Sequence, residues 1–204
     1  MKKYLSYSQY ALWKKDREAY KRKYFEGEPP FETKETLFGK KIAEMLEQKN
    51  VVHPILSKVP RGECREWRVE TRIHGIPTLS VLDSFSPAHG SIFENKTGRI
   101  PWTQERVDTH DQLLFYAAAV NAQCGFFDPH LTLSWLETKQ EPLEMEVGEE
   151  TLYSSERDGV IELTGRLFVF TRTITPAEVV AFGDKIVEVW GEIKEAWDEY
   201  TRLK

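Results

Sequence analysis

The chain of 204 residues is 40% hydrophobic and 30% charged, with 12 Gly and 10 Pro, which excludes collagen-like, mucin-like and disordered chains and predicts one domain over 1–204. No stretch approaches the roughly 18 uninterrupted apolar residues of a membrane helix, and Met1-Lys2-Lys3-Tyr4-Leu5-Ser6 turns polar at once, so a cytoplasmic protein with no membrane attachment is expected. The net charge of −5 is polarised: up to Glu70 there are 16 Lys and Arg against 11 Asp and Glu, and beyond it 12 against 22.

Ser6, with Gln9 three residues on, forms a capping-box pattern that predicts a helix from Tyr7 to about Tyr24. Its aromatic residues Tyr10, Trp13, Tyr20 and Tyr24 can pack on a core. Lys14, Lys15, Arg17, Lys21, Arg22 and Lys23 crowd the same helix, either as a solvated face or, beside a nuclease-like or reader site, as a phosphate-binding one. Gly27-Glu28-Pro29-Pro30 breaks the chain. A second helix is predicted from Glu35 to Gln48, on the stripe Leu37, Phe38, Ile42, Met45 and Leu46. Glu66 to Ile73 then alternates, with Trp67, Val69, Thr71 and Ile73 on one face. His74-Gly75 turns the chain, Ile76 to Asp83 returns it, and Ser91 to Lys96 makes a third strand.

A long helix is predicted from Thr103 or Asp108 to Gln123. Strands over Leu131–Leu136 and Val160–Thr173 flank an acidic hairpin excursion from Glu141 to Arg157. Thr175-Pro176-Ala177-Glu178 reads as the start of a last helix, with a Thr cap, Pro at the first position and Glu at the third. Along that helix Ile186, Trp190, Ile193, Trp197 and Tyr200 recur every three or four residues, a stripe for the core or for a partner that leaves room for an oligomer. The order of elements is that of an α/β domain with a mixed sheet flanked by helices.

The chemistry concentrates between Ile76 and Tyr116. Asp83 ends one predicted strand, and Glu94-Asn95-Lys96 lies on the next. Residues i and i+2 of a strand share a face, so Glu94 and Lys96 project together, within reach of Asp83. Both carboxylates follow apolar pairs, Val81-Leu82 and Ile92-Phe93, which places them at the ends of core strands. Unpaired burial there costs several kcal/mol, so a cation must compensate. Two carboxylates at a hairpin suit a hard divalent cation, and an adjacent lysine suits a phosphate that gains negative charge. His53, His74, His89, His110 and His130 show no metal-ligand spacing; Cys64 and Cys124 are too few for a disulfide framework or a four-thiolate cluster.

Leu82-Asp83, Ile92-Phe93-Glu94-Asn95-Lys96-Thr97-Gly98 and Gln112-Leu113-Leu114-Phe115-Tyr116 together resemble the PD-(D/E)xK nuclease superfamily, in its RecB-like and Cas4-like exonuclease branch. Leu5-Ser6-Tyr7-Ser8 and the segment from Leu37-Phe38-Gly39 to Leu46-Glu47 are similar to its amino-terminal motifs, so the resemblance spans roughly residues 4–120. It implies a restriction-endonuclease-like core; the single domain then divides into a helical part over 1–50, a catalytic core over 64–136, and, from the patterns beyond the resemblance, a β-hairpin extension over 137–174 and a carboxy-terminal helix over 175–204. By the same resemblance Asp83 and Glu94 are metal ligands, the carbonyl of Asn95 completes the shell, Lys96 is the catalytic lysine, and Gln112 and Tyr116 line the DNA side. Lys14, Lys15, Lys21, Lys23, Lys40 and Lys41 would hold the DNA backbone by charge.

The chain also departs from the family pattern. Where the family often places a metal-binding histidine, this chain has Ala43, so Glu47 or Glu44 would supply that position, with Glu47 favoured. An all-oxygen shell implies Mg²⁺ or Mn²⁺. The iron–sulfur cluster of many Cas4-like proteins is expected to be absent, and no helicase phosphate loop occurs. The implied activity is metal-dependent hydrolysis of DNA, with recombination, repair or phage-replication proteins as partners. The rivals are a non-catalytic nucleic-acid-binding or assembly protein on the same fold, and a phosphohydrolase of small nucleotides.

Overall fold

A computed structural model describes residues 2–29, 32–141, 144–147, 150–153 and 160–203. Its main sheet has six strands: β1 (Leu5–Ser6), β2 (Cys64–Ile73), β3 (Ile76–Ser86), β4 (Ser91–Gly98), β5 (His130–Glu141) and β8 (Val160–Thr173). A separate two-stranded sheet is formed by β6 (Glu144–Val147) and β7 (Glu150–Tyr153). The helices are α1 (Tyr7–Lys15), α2 (Arg17–Tyr24), α3 (Lys34–Glu47), α4 (Gln104–Asp108), α5 (Asp111–Cys124) and α6 (Pro176–Arg202), with a 3₁₀ turn at Leu56–Lys58. The architecture is α/β with a mixed sheet, as expected. Among the described residues no helix is long and apolar enough to cross a membrane.

β3 organises the sheet. One edge pairs antiparallel with β2 along its length; the other takes β1 in parallel at Thr78 and Leu79, then β4 antiparallel at Ser84–Ser86. β4 runs on beside β5 in parallel from Ser91 to Gly98, joined to it by α4 and α5, because parallel neighbours need a crossover. β8 then pairs antiparallel with β5, from His130 opposite Thr173 to Glu141 opposite Val160. Residues 160–173, grouped from sequence with a hairpin extension, are thus an edge strand of the main sheet. Parts of the acidic excursion, 142–143, 148–149 and 154–157, lie outside the described residues.

Side-chain alternation gives the sheet a core on each face. Leu131, Leu133 and Trp135 join Leu113, Phe115, Phe182 and Ile186 beneath α5 and α6. Leu136 joins Ile42, Leu46, Leu56 and Val59 beneath α3. The stripe on α6 is used within the chain: Ile186, Trp190 and Ile193 are buried, and Trp197 and Tyr200 pack on Phe25.

The helix predicted from Tyr7 to about Tyr24 is interrupted, and of the two starts predicted for the middle helix the later one, near Asp108, holds: α5 begins at Asp111 after a break from α4. Asp16 ends α1 and starts α2, its Oδ1 accepting from Ala19 N at 2.9 Å. Val107 and Leu113 stay buried on either side of Thr109-His110, where α4 stops and His110 caps α5. In both places a polar side chain that can accept from a backbone N–H outweighs continuous helical periodicity. The last helix starts as read: Thr175 Oγ1 accepts from Glu178 N, and the Glu178 carboxylate accepts from Thr175 N at 2.9 Å. Arg172 pairs with the same carboxylate. Thr175→Ala is expected to cost about 1 kcal/mol, read as a fall of roughly 2–4 °C in the thermal midpoint.

Candidate active site

β4 leaves β3 after the pair Ser84–Phe93 but stays with β5, so the sheet forks. Asp83 and Glu94 stand one register step into that fork. Asn95 N, with no β3 carbonyl opposite, donates to Asp83 Oδ2 at 2.7 Å, which fixes the carboxylate at the mouth of the fork. Glu94 is only 3% exposed. Burial, reinforced by the charge of Glu94, pushes the Asp83 carboxyl up to about 8, against the Asn95 hydrogen bond and the Lys96 charge. Two like charges cannot both be held in so dry a place without a cation.

Lys96 supplies part of that charge. Its Nζ donates to Glu94 Oε1 at 2.5 Å and to Gln112 Oε1 at 2.7 Å; Gln112 Nε2 in turn donates to Tyr116 OH at 2.8 Å. Gln112 and Tyr116 are one turn apart on α5, so a rigid helix holds the lysine through this chain of bonds. The first turn of α1 reaches the same place: burial and then the charges of Asp111 and Glu94 push Tyr7 up to about 12. His110 is held down to about 4 by burial and the charges of Lys96 and Arg106. Its Nδ1 accepts from Gln112 N at 3.2 Å, so the neutral ring carries its proton on Nε2.

Two oxygens in the fork lack a partner: Glu94 Oε2 and Asn95 Oδ1 are buried and accept no hydrogen bond. A cleft of about 530 Å³ opens beside them, lined by Asp83, Glu94, Asn95 and Lys96 from the sheet and by Gly39, Lys40 and Ala43 from α3. Among the described residues no group of three or more His, Cys, Asp or Glu side chains converges into a metal cage. Asp83 and Glu94 beside an open cleft, with one Glu94 oxygen and the Asn95 amide oxygen unsatisfied, nevertheless fit Mg²⁺ or Mn²⁺, which bind through one or two carboxylates and take water or phosphate for the rest. No family model matches the chain, and no curated protein matches it in sequence.

Asp83, Glu94, Asn95, Lys96, Gln112 and Tyr116 therefore come together as the sequence suggested. Both glutamates are exposed; Glu47 closes α3 and borders a second small void with Asp83, whereas Glu44 lines neither space. Glu47→Gln is accordingly expected to weaken Mn²⁺ binding about tenfold more than Glu44→Gln does, measured by calorimetric titration. Both lysines are exposed; Lys40 stands at the cleft and pairs with Glu32, while Lys41 does not line it. Lys14 and Lys15 lie at the other end of α1 from Tyr7, about 12 Å along the axis. Lys21 pairs with Glu18 at 2.7 Å, and Lys23 lies over the Tyr24 ring.

Three residues of the site were not singled out from sequence. Arg61 Nη1 donates to the Leu46 carbonyl, and Arg65 Nη1 to those of Leu46, Glu47 and Gln48; together they tie down the end of α3. Glu66 has a positive φ of 42°, a strained conformation for a long side chain that costs on the order of 1–3 kcal/mol. It stands opposite Asp83, in the gap between the pairs Arg65–Ser84 and Trp67–Leu82. Cys64 and Trp67, and likewise Leu82 and Phe85, pack into the same core three positions apart, so side-chain alternation slips at Glu66 and Asp83.

Proposed function

We propose that the chain is a Mg²⁺- or Mn²⁺-dependent DNA nuclease of the PD-(D/E)xK type, with a restriction-endonuclease-like core. The observation that carries this reading is the forked strand pair, where Asp83 faces Glu94 and Lys96 is pinned between Glu94 and Gln112. The similarity of the sequence blocks from Leu5 to Tyr116 to that superfamily, in the same order along the chain, is consistent with it.

Asp83, Glu94 and the Asn95 carbonyl would hold the cation, with Glu47 nearby. When bound, it polarises the scissile phosphate and makes water a competent nucleophile at neutral pH. Lys96 keeps a fixed positive charge beside the phosphate, where negative charge builds up in the transition state. Gln112 holds that ammonium from α5 and leaves it no freedom to fold back on solvent. Tyr116 orients the Gln112 amide, and Asn95 N holds Asp83 in place. The open cleft, with Lys40 at its edge, suits a polymer better than a closed pocket for a small nucleotide.

The test is incubation of the full chain with end-labelled linear and with circular DNA, in Mg²⁺, Mn²⁺ or EDTA. Degradation of linear DNA only, in either metal and not in EDTA, is expected for an exonuclease. Binding without cleavage in any metal would instead establish the non-catalytic reading.

A further inference from the structure

The carboxylate of Glu66 belongs to none of the sequence blocks above, yet it faces the site across a void of about 10 Å³. Glu47, Glu66, Asp83 and Asn95 border that void, together with Arg61 and Arg65. Its size admits one water, and a water is stable only where two to four polar partners surround it. Here the partners are present, and one of them, Asn95 Oδ1, is buried with no partner of its own. Glu66 reaches this wall only because its backbone takes the left-handed conformation and leaves the β2–β3 ladder. The residue is exposed on its outer side, but its carboxyl is raised by partial burial and then by the charges of Glu47 and Glu94, which places it within the electrostatic reach of the cleft. Strain concentrated at one residue beside a site is characteristic of a function that requires it.

We propose that Glu66 is a positioning residue of the cation site: its strained backbone turns its carboxylate towards Asp83 and Asn95, and it acts on them through one water held between the side chains. The inference rests on the nuclease reading, since it assigns Glu66 to the cation which that reading requires. Such an outer partner sets the orientation and basicity of the groups that touch the ion, and losing one lowers metal affinity by about 10–100-fold.

The test uses the purified full chain as wild type, Glu66→Gln and Glu66→Gly, with Mn²⁺ alone as the probe. Calorimetric titration without DNA gives the affinity, and thermal melting without metal gives the stability. Both variants are expected to bind Mn²⁺ about 10–100-fold more weakly than wild type. Glu66→Gly is expected to melt no lower than wild type, because glycine adopts a positive φ without strain. Mn²⁺ affinity in Glu66→Gln within about twofold of wild type would overturn the proposal and leave the nuclease reading standing. A lower melting point in Glu66→Gly with unchanged affinity would make Glu66 merely structural. Absence of Mn²⁺ binding by wild type would overturn the nuclease reading itself, and the role of Glu66 with it.

Discussion

Asp83→Asn is expected to abolish cleavage, by about 10³-fold or more, while leaving the metal-free protein at least as stable as wild type. The amide oxygen of asparagine can still accept from Asn95 N, so the local hydrogen bond at 2.7 Å survives. Asparagine is neutral without having to take up a proton, so the cost of holding Asp83 neutral against burial and the Glu94 charge, which raise its carboxyl, is removed. A cation in the proposed site would lose one of its two carboxylates, and a 10³-fold effect corresponds to about 4 kcal/mol of transition-state stabilisation. Stability and activity thus move independently, which loss of activity through misfolding cannot imitate. Cleavage rate and thermal midpoint, measured on one preparation, check both halves.

Lys96→Met is expected to lower the single-turnover cleavage rate by about 10²–10³-fold, the usual effect of removing one donor at a site of developing negative charge. Its consequence for folding differs from that of Asp83→Asn. Glu94 is buried, and without Lys96 its Oε1 joins Oε2 in having no donor. A lower melting point in the absence of metal is therefore expected. Added Mg²⁺ should recover part of it, since a bound cation stabilises the folded state by mass action. A variant that cleaves at the wild-type rate would remove Lys96 from the chemistry.

Local chemistry was legible in the sequence wherever it was self-contained. Thr175-Pro176-Ala177-Glu178 carries its own cap, and the alternation Trp67, Val69, Thr71, Ile73 identifies its buried face without reference to a partner strand. Asp83, Glu94 and Lys96 were legible because strand spacing puts Glu94 and Lys96 on one face and a hairpin brings Asp83 to them. What escaped depends on partners distant in sequence. β1 is a two-residue strand, too short for any period, and exists because β3 offers Thr78 and Leu79 an open edge. Arg61 and Arg65 find their acceptors on α3, more than a dozen residues earlier. Glu66 reads as an ordinary strand residue; its left-handed backbone appears only where the β2–β3 ladder meets Asp83. Asp16 and His110 did carry a local signal, a side-chain acceptor before a free backbone N–H, but it was hidden inside continuous apolar spacing.

The most direct measurement is cleavage of end-labelled DNA by wild type and Asp83→Asn side by side, each in Mg²⁺ and in EDTA. Wild type is expected to cleave in Mg²⁺ alone and the variant in neither condition. Cleavage by wild type in EDTA, or by the variant at the wild-type rate, would contradict a metal-dependent site at Asp83 and Glu94, and no cleavage by wild type in Mg²⁺ would contradict the nuclease itself.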